Sequence, residues 1–170
     1  MDGELWDLTD AAGDPTGRTH RRGDPGFPAG LFHIVASVCL VRGDGLVLMT
    51  RRAAVKDWPL TWEFPAGSAL SGETSAEGAV RELHEEAGVA LEVAQLELVG
   101  RVVEESALFD LYFARVPGDP ALALDPAEVC ESEWVPLAEA LRRSADGEMA
   151  GPWTPRLEQW GARLAEMHGV

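Results

Sequence analysis

From Leu31 to Val41 (LFHIVASVCLV) apolar residues run almost without a break, and this density predicts a central β-strand covered on both faces. Gly43-Asp44-Gly45 turns the chain into Leu46–Met49, a second short apolar run expected to be the hairpin partner of the first. Arg51, Arg52 and Lys56 follow in a predicted loop, and Thr61–Phe64 forms a short strand leading to Pro65-Ala66-Gly67. The period then changes. Ala76, Ala79, Val80, Leu83 and Ala87 recur at helical spacing, Thr74 with Glu77 has the form of a capping box, and Gly88 stands where a helix-ending glycine belongs.

Past that helix, residues 91–103 and 107–116 read as paired strands around the loop Glu104-Glu105-Ser106, and Glu133–Val135 as another short strand. Residues 137–143 and 155–167 close the chain as helices, the second with the apolar stripe Leu157, Trp160, Leu164 and Met167 and with Pro155 at a favourable opening position. Residues 1–30 are rich in Gly, Pro, Asp, Thr and Arg. Glu4–Leu8 reads there as a short strand followed by a turn, Thr19–Arg22 adds a basic cluster, and the segment is expected to be an arm packing on a domain of residues 31–170. This order of elements predicts an α+β fold with a mixed sheet between helices.

A chain of 170 residues suits one domain, and 46% hydrophobic with 25% charged residues is the balance of a soluble protein. The net charge of −15 argues against a nucleic-acid polymer or an anionic membrane as partner. Cys39 lies in the apolar run and is expected in the core, and it shares no metal-ligand spacing with Cys130. No apolar run approaches the ~18 residues of a membrane span, and the acidic N-terminus does not resemble a signal peptide, so the expected location is cytoplasmic.

Candidate chemistry concentrates on the first helix. Glu82, Glu85 and Glu86 fall at i, i+3 and i+4, so their carboxylates share one face. Three carboxylates that close repel unless a cation sits among them, and an oxygen-only set suits Mg²⁺ or Mn²⁺. A solvated acidic face is the plain alternative. Arg81, four residues before Glu85, is placed to hold that carboxylate. Arg51, Arg52 and Lys56 are candidates for clamping phosphates or are solvated loop charges. Trp58, Trp62, Phe109 and Tyr112 offer faces for a base or an apolar tail, or belong to the core. His33 alternates with apolar residues and is expected to be structural, while His20 and Arg21 have no assigned role.

Taken whole, Gly67, five residues, Glu73, seven residues, then Arg81-Glu82-Leu83-His84-Glu85-Glu86-Ala87-Gly88-Val89 resembles the Nudix hydrolase signature, Gly-x5-Glu-x7-Arg-Glu-U-x-Glu-Glu-x-Gly-U with U aliphatic, at every position. The resemblance implies a Nudix-type α/β/α sandwich over about residues 30–145. It implies metal binding by Glu82, Glu85 and Glu86 with the Gly67 carbonyl in the same shell, and water deprotonation by Glu82 or by a glutamate of a later loop. Glu128 is favoured for that loop base over Glu104, Glu105 and Glu131, and Glu73 and Arg81 would orient the ligands. The implied catalytic set is therefore Glu82, Glu85, Glu128 and Arg81, with Arg51, Arg52, Lys56 and Trp62 toward a small-molecule diphosphate substrate.

The implied reaction is Mg²⁺-dependent hydrolysis of a nucleoside diphosphate joined to another group, and family members are often homodimers. Trp62–Gly67 resembles the approach in enzymes acting on ADP-ribose and other nucleotide sugars, but Glu105 stands where those carry proline, and no other substrate mark is complete. The leading segment resembles the isopentenyl-diphosphate isomerase branch, whose cysteine before the glycine-led segment is replaced here by Ala66. A non-catalytic nucleotide sensor is the third alternative.

Overall fold

Strand β3 (His33–Val41) is the chain's apolar run, and in this computed structural model, which describes residues 3–169, it lies at the middle of the main sheet. The outer ends of the expected arm (1 and 2) and of the expected domain (170) lie outside the described residues. Around β3 the chain forms β1 (Leu5–Thr9), β2 (Pro15–Arg21), β4 (Val47–Arg52), β5 (Trp62–Glu63), β6 (Ala66–Ser68), α1 (Ser75–Ala87), β7 (Glu97–Val103), β8 (Ala107–Arg115), β9 (Val129–Val135), α2 (Leu137–Ala145) and α3 (Trp153–His168). β3 and β8 run parallel from His33 against Ala107 to Val41 against Arg115, while the other pairings are antiparallel, so the sheet is mixed.

Each face of the sheet has its own core. Ala79, Leu83 and Ala87 of α1 pack on Ala36, Val38, Leu40 and Leu48, and the opposite face meets Trp153, Leu157, Trp160 and Leu164 of α3 through Phe64, Phe109 and Leu111. This is the expected α/β/α sandwich. Phe109 and Tyr112 are buried in these cores, and so is Cys39, whose thiol burial pushes up to about 12. Among the described residues no helix is long and apolar enough to cross a membrane.

Several boundaries differ from those expected. The β3–β4 hairpin meets at a single pair, Val41 with Val47, because β6 takes the same edge of β3 from Val35 to Ser37. β4 pairs instead with β9, which starts at Val129 rather than Glu133, and this carries Arg51 and Arg52 on a strand instead of a loop. Residues 91–103 divide into a single 3₁₀ turn (Val93–Gln95) and β7, since Leu91 and Leu96 turn inward against the α1 core. α3 opens two residues ahead of Pro155, which is accommodated in the first turn where its missing N–H leaves no gap.

Pro15–Arg21, expected as turn and basic cluster, is a strand, so the N-terminal segment is a β1–β2 hairpin. It is fastened to the loop before α1: Asp7 accepts from Ser71 Oγ at 2.6 Å and from Gly72 N at 2.8 Å, and Ser71 N donates to Leu5 O at 2.7 Å. It also covers His33. Trp6 stacks on that imidazole at 4.1 Å between centroids, Phe27 meets it edge-on at 6.0 Å, and Ser68 Oγ lies 3.4 Å from Nδ1.

Burial is the main reason the His33 pKa falls from 6.5 to about 4; Arg22 and His20 push the same way, against Glu4 and Glu104. Below pH 6.5 the unfolded chain therefore binds a proton that the folded chain refuses, and stability is lost as pH falls from 6.5 toward 4. His33→Phe keeps a ring under Trp6 and removes this dependence. Thermal melts between pH 7 and pH 4.5 should show the wild type losing stability relative to the variant, and parallel curves would contradict the assignment.

Candidate active site

α1 starts where its sequence dictates. Thr74 and Glu77 exchange side-chain hydrogen bonds with each other's backbone N–H, and Gly88 closes the helix in the left-handed region at φ 73°. Ser75 Oγ donates to buried Asp110 Oδ2 on β8 at 2.5 Å, pinning the helix start to the sheet. With α1 so fixed, Glu82, Glu85 and Glu86 face β6 and the residues preceding it.

Arg81 organises this face. Nε and Nη2 donate to the two oxygens of Glu73 at 2.8 and 3.0 Å, Nη2 also reaches Ser68 O at 2.8 Å, and Nη1 is shared by Glu82 Oε1 at 2.8 Å and Glu85 Oε2 at 3.1 Å. Glu73 is braced in turn by Leu70 N at 2.8 Å. Gly67 on β6 lies directly against Glu82, where any β-carbon would collide with the carboxylate. A side chain at this position would push the Glu82 carboxylate aside.

Glu86 is 5% exposed and accepts one hydrogen bond, from Ala66 N at 3.3 Å. Burial, followed by the charges of Glu63 and Glu82, holds its pKa well above the usual carboxylate range. Burial also raises Glu82, against the pull of Arg81, and raises Glu63, against Arg52.

These groups line a cleft of about 220 Å³. Gly67, Glu82, Glu85 and Glu86 form one part of its wall, and Arg52, Lys56, Asp125 and Glu128 another. Arg52 Nη1 grips both oxygens of Glu63 at 2.8 and 2.9 Å, and Lys56 is ion-paired with Glu128. Arg51 and Trp62 do not line the cleft. They sit opposite each other across β4 and β5, and neighbours on a strand project to opposite faces, so Arg52 and Glu63 turn one way and Arg51 and Trp62 the other. Arg51 pairs with Glu131 at 3.1 Å, and Arg143 lies 4.7 Å over the Trp62 ring. Of the four later-loop glutamates only Glu128 lines the cleft; Glu104 is held bidentately by Arg156 at 2.7 Å and Glu105 is exposed.

The cleft also contains residues the sequence did not single out for it. Ser68 belongs to β6, Asp125 is brought in by its backbone bond to Glu86 O at 3.1 Å, and Glu4 and Arg22 come from the hairpin. Only the basic cluster Thr19–Arg22 gave any signal of these, and a cluster does not say where it docks.

Among the described residues no three His, Cys, Asp or Glu side chains already stand as a metal-ligand set, because Arg81 draws Glu82 and Glu85 onto itself. The donor chemistry nevertheless fits a hard divalent cation. Glu82 and Glu85 each keep an oxygen that Arg81 leaves free, Glu86 is desolvated with a single long hydrogen bond, and the bare Gly67 backbone lies against the Glu82 carboxylate.

The NUDIX domain family profile matches residues 31–157. The chain belongs to the Nudix hydrolase family. A Nudix hydrolase of Listeria monocytogenes is 34% identical over 148 residues, spanning 84% of this chain and 87% of that protein. An isopentenyl-diphosphate Δ-isomerase of Cereibacter sphaeroides is 31% identical over 133 residues, 73% of this chain and 75% of its own. The crystal structure of DR0079 from Deinococcus radiodurans superposes with a TM-score of 0.74 at 23% identity, covering 92% of this Nudix chain and 99% of that one, and it shares the fold.

Two substitutions test the carboxylate arrangement. Glu86→Gln removes a buried, repelled charge, so the metal-free variant should melt no lower than wild type while losing the rise in melting temperature on adding Mg²⁺ or Mn²⁺. Gly67→Ala should keep the fold but displace Glu82 and weaken Mn²⁺ binding by about 10- to 100-fold. Calorimetric titration and thermal melts read both, and an undiminished metal response in either variant would contradict the site.

Proposed function

We propose that this cleft is the site of a divalent-metal-dependent pyrophosphohydrolase that splits a nucleoside diphosphate joined to a second moiety. As a Nudix hydrolase the protein acts on acid anhydrides in phosphorus-containing compounds. What favours the finer reading is the opposition, in one small cleft, of three carboxylates, Glu86 among them buried, to Arg52 and Lys56. Carboxylates alone would repel a diphosphate and cations alone would only bind it; the two together suit a phosphate delivered against a metal.

Glu82, Glu85, Glu86 and the Gly67 carbonyl would hold Mg²⁺ or Mn²⁺. Such an ion, when bound, supplies charge neutralisation at phosphate and a water that ionises near neutral pH. Arg81 keeps Glu82 and Glu85 oriented through its bonds to Glu73 and Ser68, a positioning role. Arg52 and Lys56 take phosphate oxygens, and Lys56, drawn to the phosphate, releases the Glu128 carboxylate. Glu128 is then free to accept the proton of the attacking water. The water oxygen bonds to phosphorus, the bridging P–O bond breaks, and the products are a nucleoside monophosphate and the other phosphorylated half.

The isomerase relatives favour a second reading, isomerisation of isopentenyl diphosphate. Against it, Ala66 occupies the position of the isomerase cysteine, and neither Cys39, buried in the core, nor Cys130, exposed on β9, lines the cleft.

A turnover panel with Mg²⁺ and Mn²⁺ separates these readings. It covers nucleotide sugars, nucleoside di- and triphosphates, dinucleotide polyphosphates, coenzyme A and isopentenyl diphosphate. Hydrolysis of one phosphoanhydride class is expected, reduced by several orders of magnitude in Glu86→Gln. Glu128→Gln should lower the rate by about 10²- to 10⁴-fold and Glu105→Gln should leave it unchanged. Isomerised isopentenyl diphosphate without hydrolysis would overturn the proposal, and nucleotide binding with no turnover across the panel would make the protein a sensor.

A further inference from the structure

The cleft has a third cation, and it comes from outside the residues matched by the family profile. Arg22 follows the last residue of β2 and lines the same cleft as Glu82, Glu85 and Glu86, with Glu4 beside it. Its position is fixed at both ends. The Arg22 backbone N–H donates to Glu4 O at 2.8 Å, and β1 is bonded through Leu5 and Asp7 to Ser71 and Gly72, inside the segment that joins Gly67 to Glu73. The Trp6–His33 stack holds the hairpin against β3. A hairpin so anchored is tied to the loop between Gly67 and Glu73.

The three cations of the cleft differ in how firmly they are held. Arg52 is 16% exposed and bonded through one nitrogen to both oxygens of buried Glu63, with Nε on Asp57 O at 2.6 Å. Lys56 is paired with Glu128. The Arg22 side chain is 51% exposed and has one side-chain partner among the described residues, Glu4 Oε1 at 3.2 Å, itself 37% exposed. An exposed single contact of this kind is weak, so Arg22 exchanges it for an incoming anion at least cost. Guanidinium can grip phosphate oxygens through two nitrogens, whereas its contact with Glu4 uses only one.

We infer that Arg22 is a substrate-binding residue that takes a phosphate group of the diphosphate, with the β1–β2 hairpin forming a wall of the active site. Glu4 holds the guanidinium in place until the phosphate arrives. The inference rests on the diphosphate-cleaving reading of the cleft.

The test is calorimetric titration of the full chain with inorganic pyrophosphate in the presence of Mg²⁺, beside steady-state kinetics on the best substrate. Arg22→Ala and Arg22→Gln should each weaken pyrophosphate binding about tenfold or more, the usual effect of losing a charge-assisted pair. Arg22→Lys should restore part of the loss, and Arg18→Ala, exposed on the same strand and away from the cleft, should bind as wild type. KM should rise in the Ala and Gln variants with kcat nearly unchanged. Equal pyrophosphate affinity in wild type and Arg22→Gln, or a wild type that does not bind pyrophosphate, overturns the inference. Absence of any hydrolysis that Glu86→Gln lacks would remove the functional reading instead, and the pyrophosphate titration would still decide Arg22.

Discussion

Crowded carboxylates in a half-dry cleft are the constraint around which this molecule is built. Burial raises the pKa of Glu82 and Glu86 in the cleft and of Glu63, the partner of Arg52, and Glu86, held well above the ordinary carboxylate range, is further raised by the other two. Such groups are costly to assemble unless something cationic shares the site. Arg81 meets part of that cost. Its guanidinium spans Glu73, Glu82, Glu85 and the Ser68 carbonyl, so the loop and the helix that carry the signature residues close on one side chain. What Arg81 does not reach, above all Glu86, is where the proposed cation would bind.

The scaffold follows from the need to keep those groups from relaxing apart. The parallel β3–β8 pair gives α1 a rigid floor of Ala36, Val38 and Leu40, the capping box fixes where the helix begins, and Ser75 ties that beginning to Asp110. β6 delivers Gly67 to Glu82 at a separation that holds only while position 67 carries no side chain and the carboxylate stays put. On the far face, α3 fills the second core with Trp153 and Trp160 and leaves the cleft edge to β4, β5 and the loop bearing Lys56. The N-terminal hairpin completes the enclosure by bonding to the loop between Ser68 and Glu73.

Much of this was legible in the chain because the relevant information is local. A capping box, a helical apolar stripe and carboxylates at i, i+3 and i+4 are properties of one turn of helix and its neighbours, and they placed Glu82, Glu85 and Glu86 on one face without any tertiary knowledge. What the sequence could not disclose depends on which strand edge meets which. Whether Arg51 or Arg52 enters the cleft is decided by the β4–β5 register, and whether Glu104 or Glu128 does is decided by Arg156 reaching across from α3. The role of β6, only three residues long, was hidden because its pairing with β3 displaces the hairpin that Gly43-Asp44-Gly45 otherwise suggests. Arg22 was invisible for the same reason, since a basic cluster in a Gly- and Pro-rich segment carries no record of its docking partner.

The proposed cation would have a definite place among these carboxylates. The most direct measurement is the anomalous difference map of a crystal of the wild-type protein soaked in Mn²⁺. A peak is expected within ligand distance of the Gly67 carbonyl oxygen and of Glu82 and Glu86 carboxylate oxygens, with Arg81 still bonded to Glu73. A map with no peak there, from protein that is active in the same Mn²⁺ concentration, would contradict it.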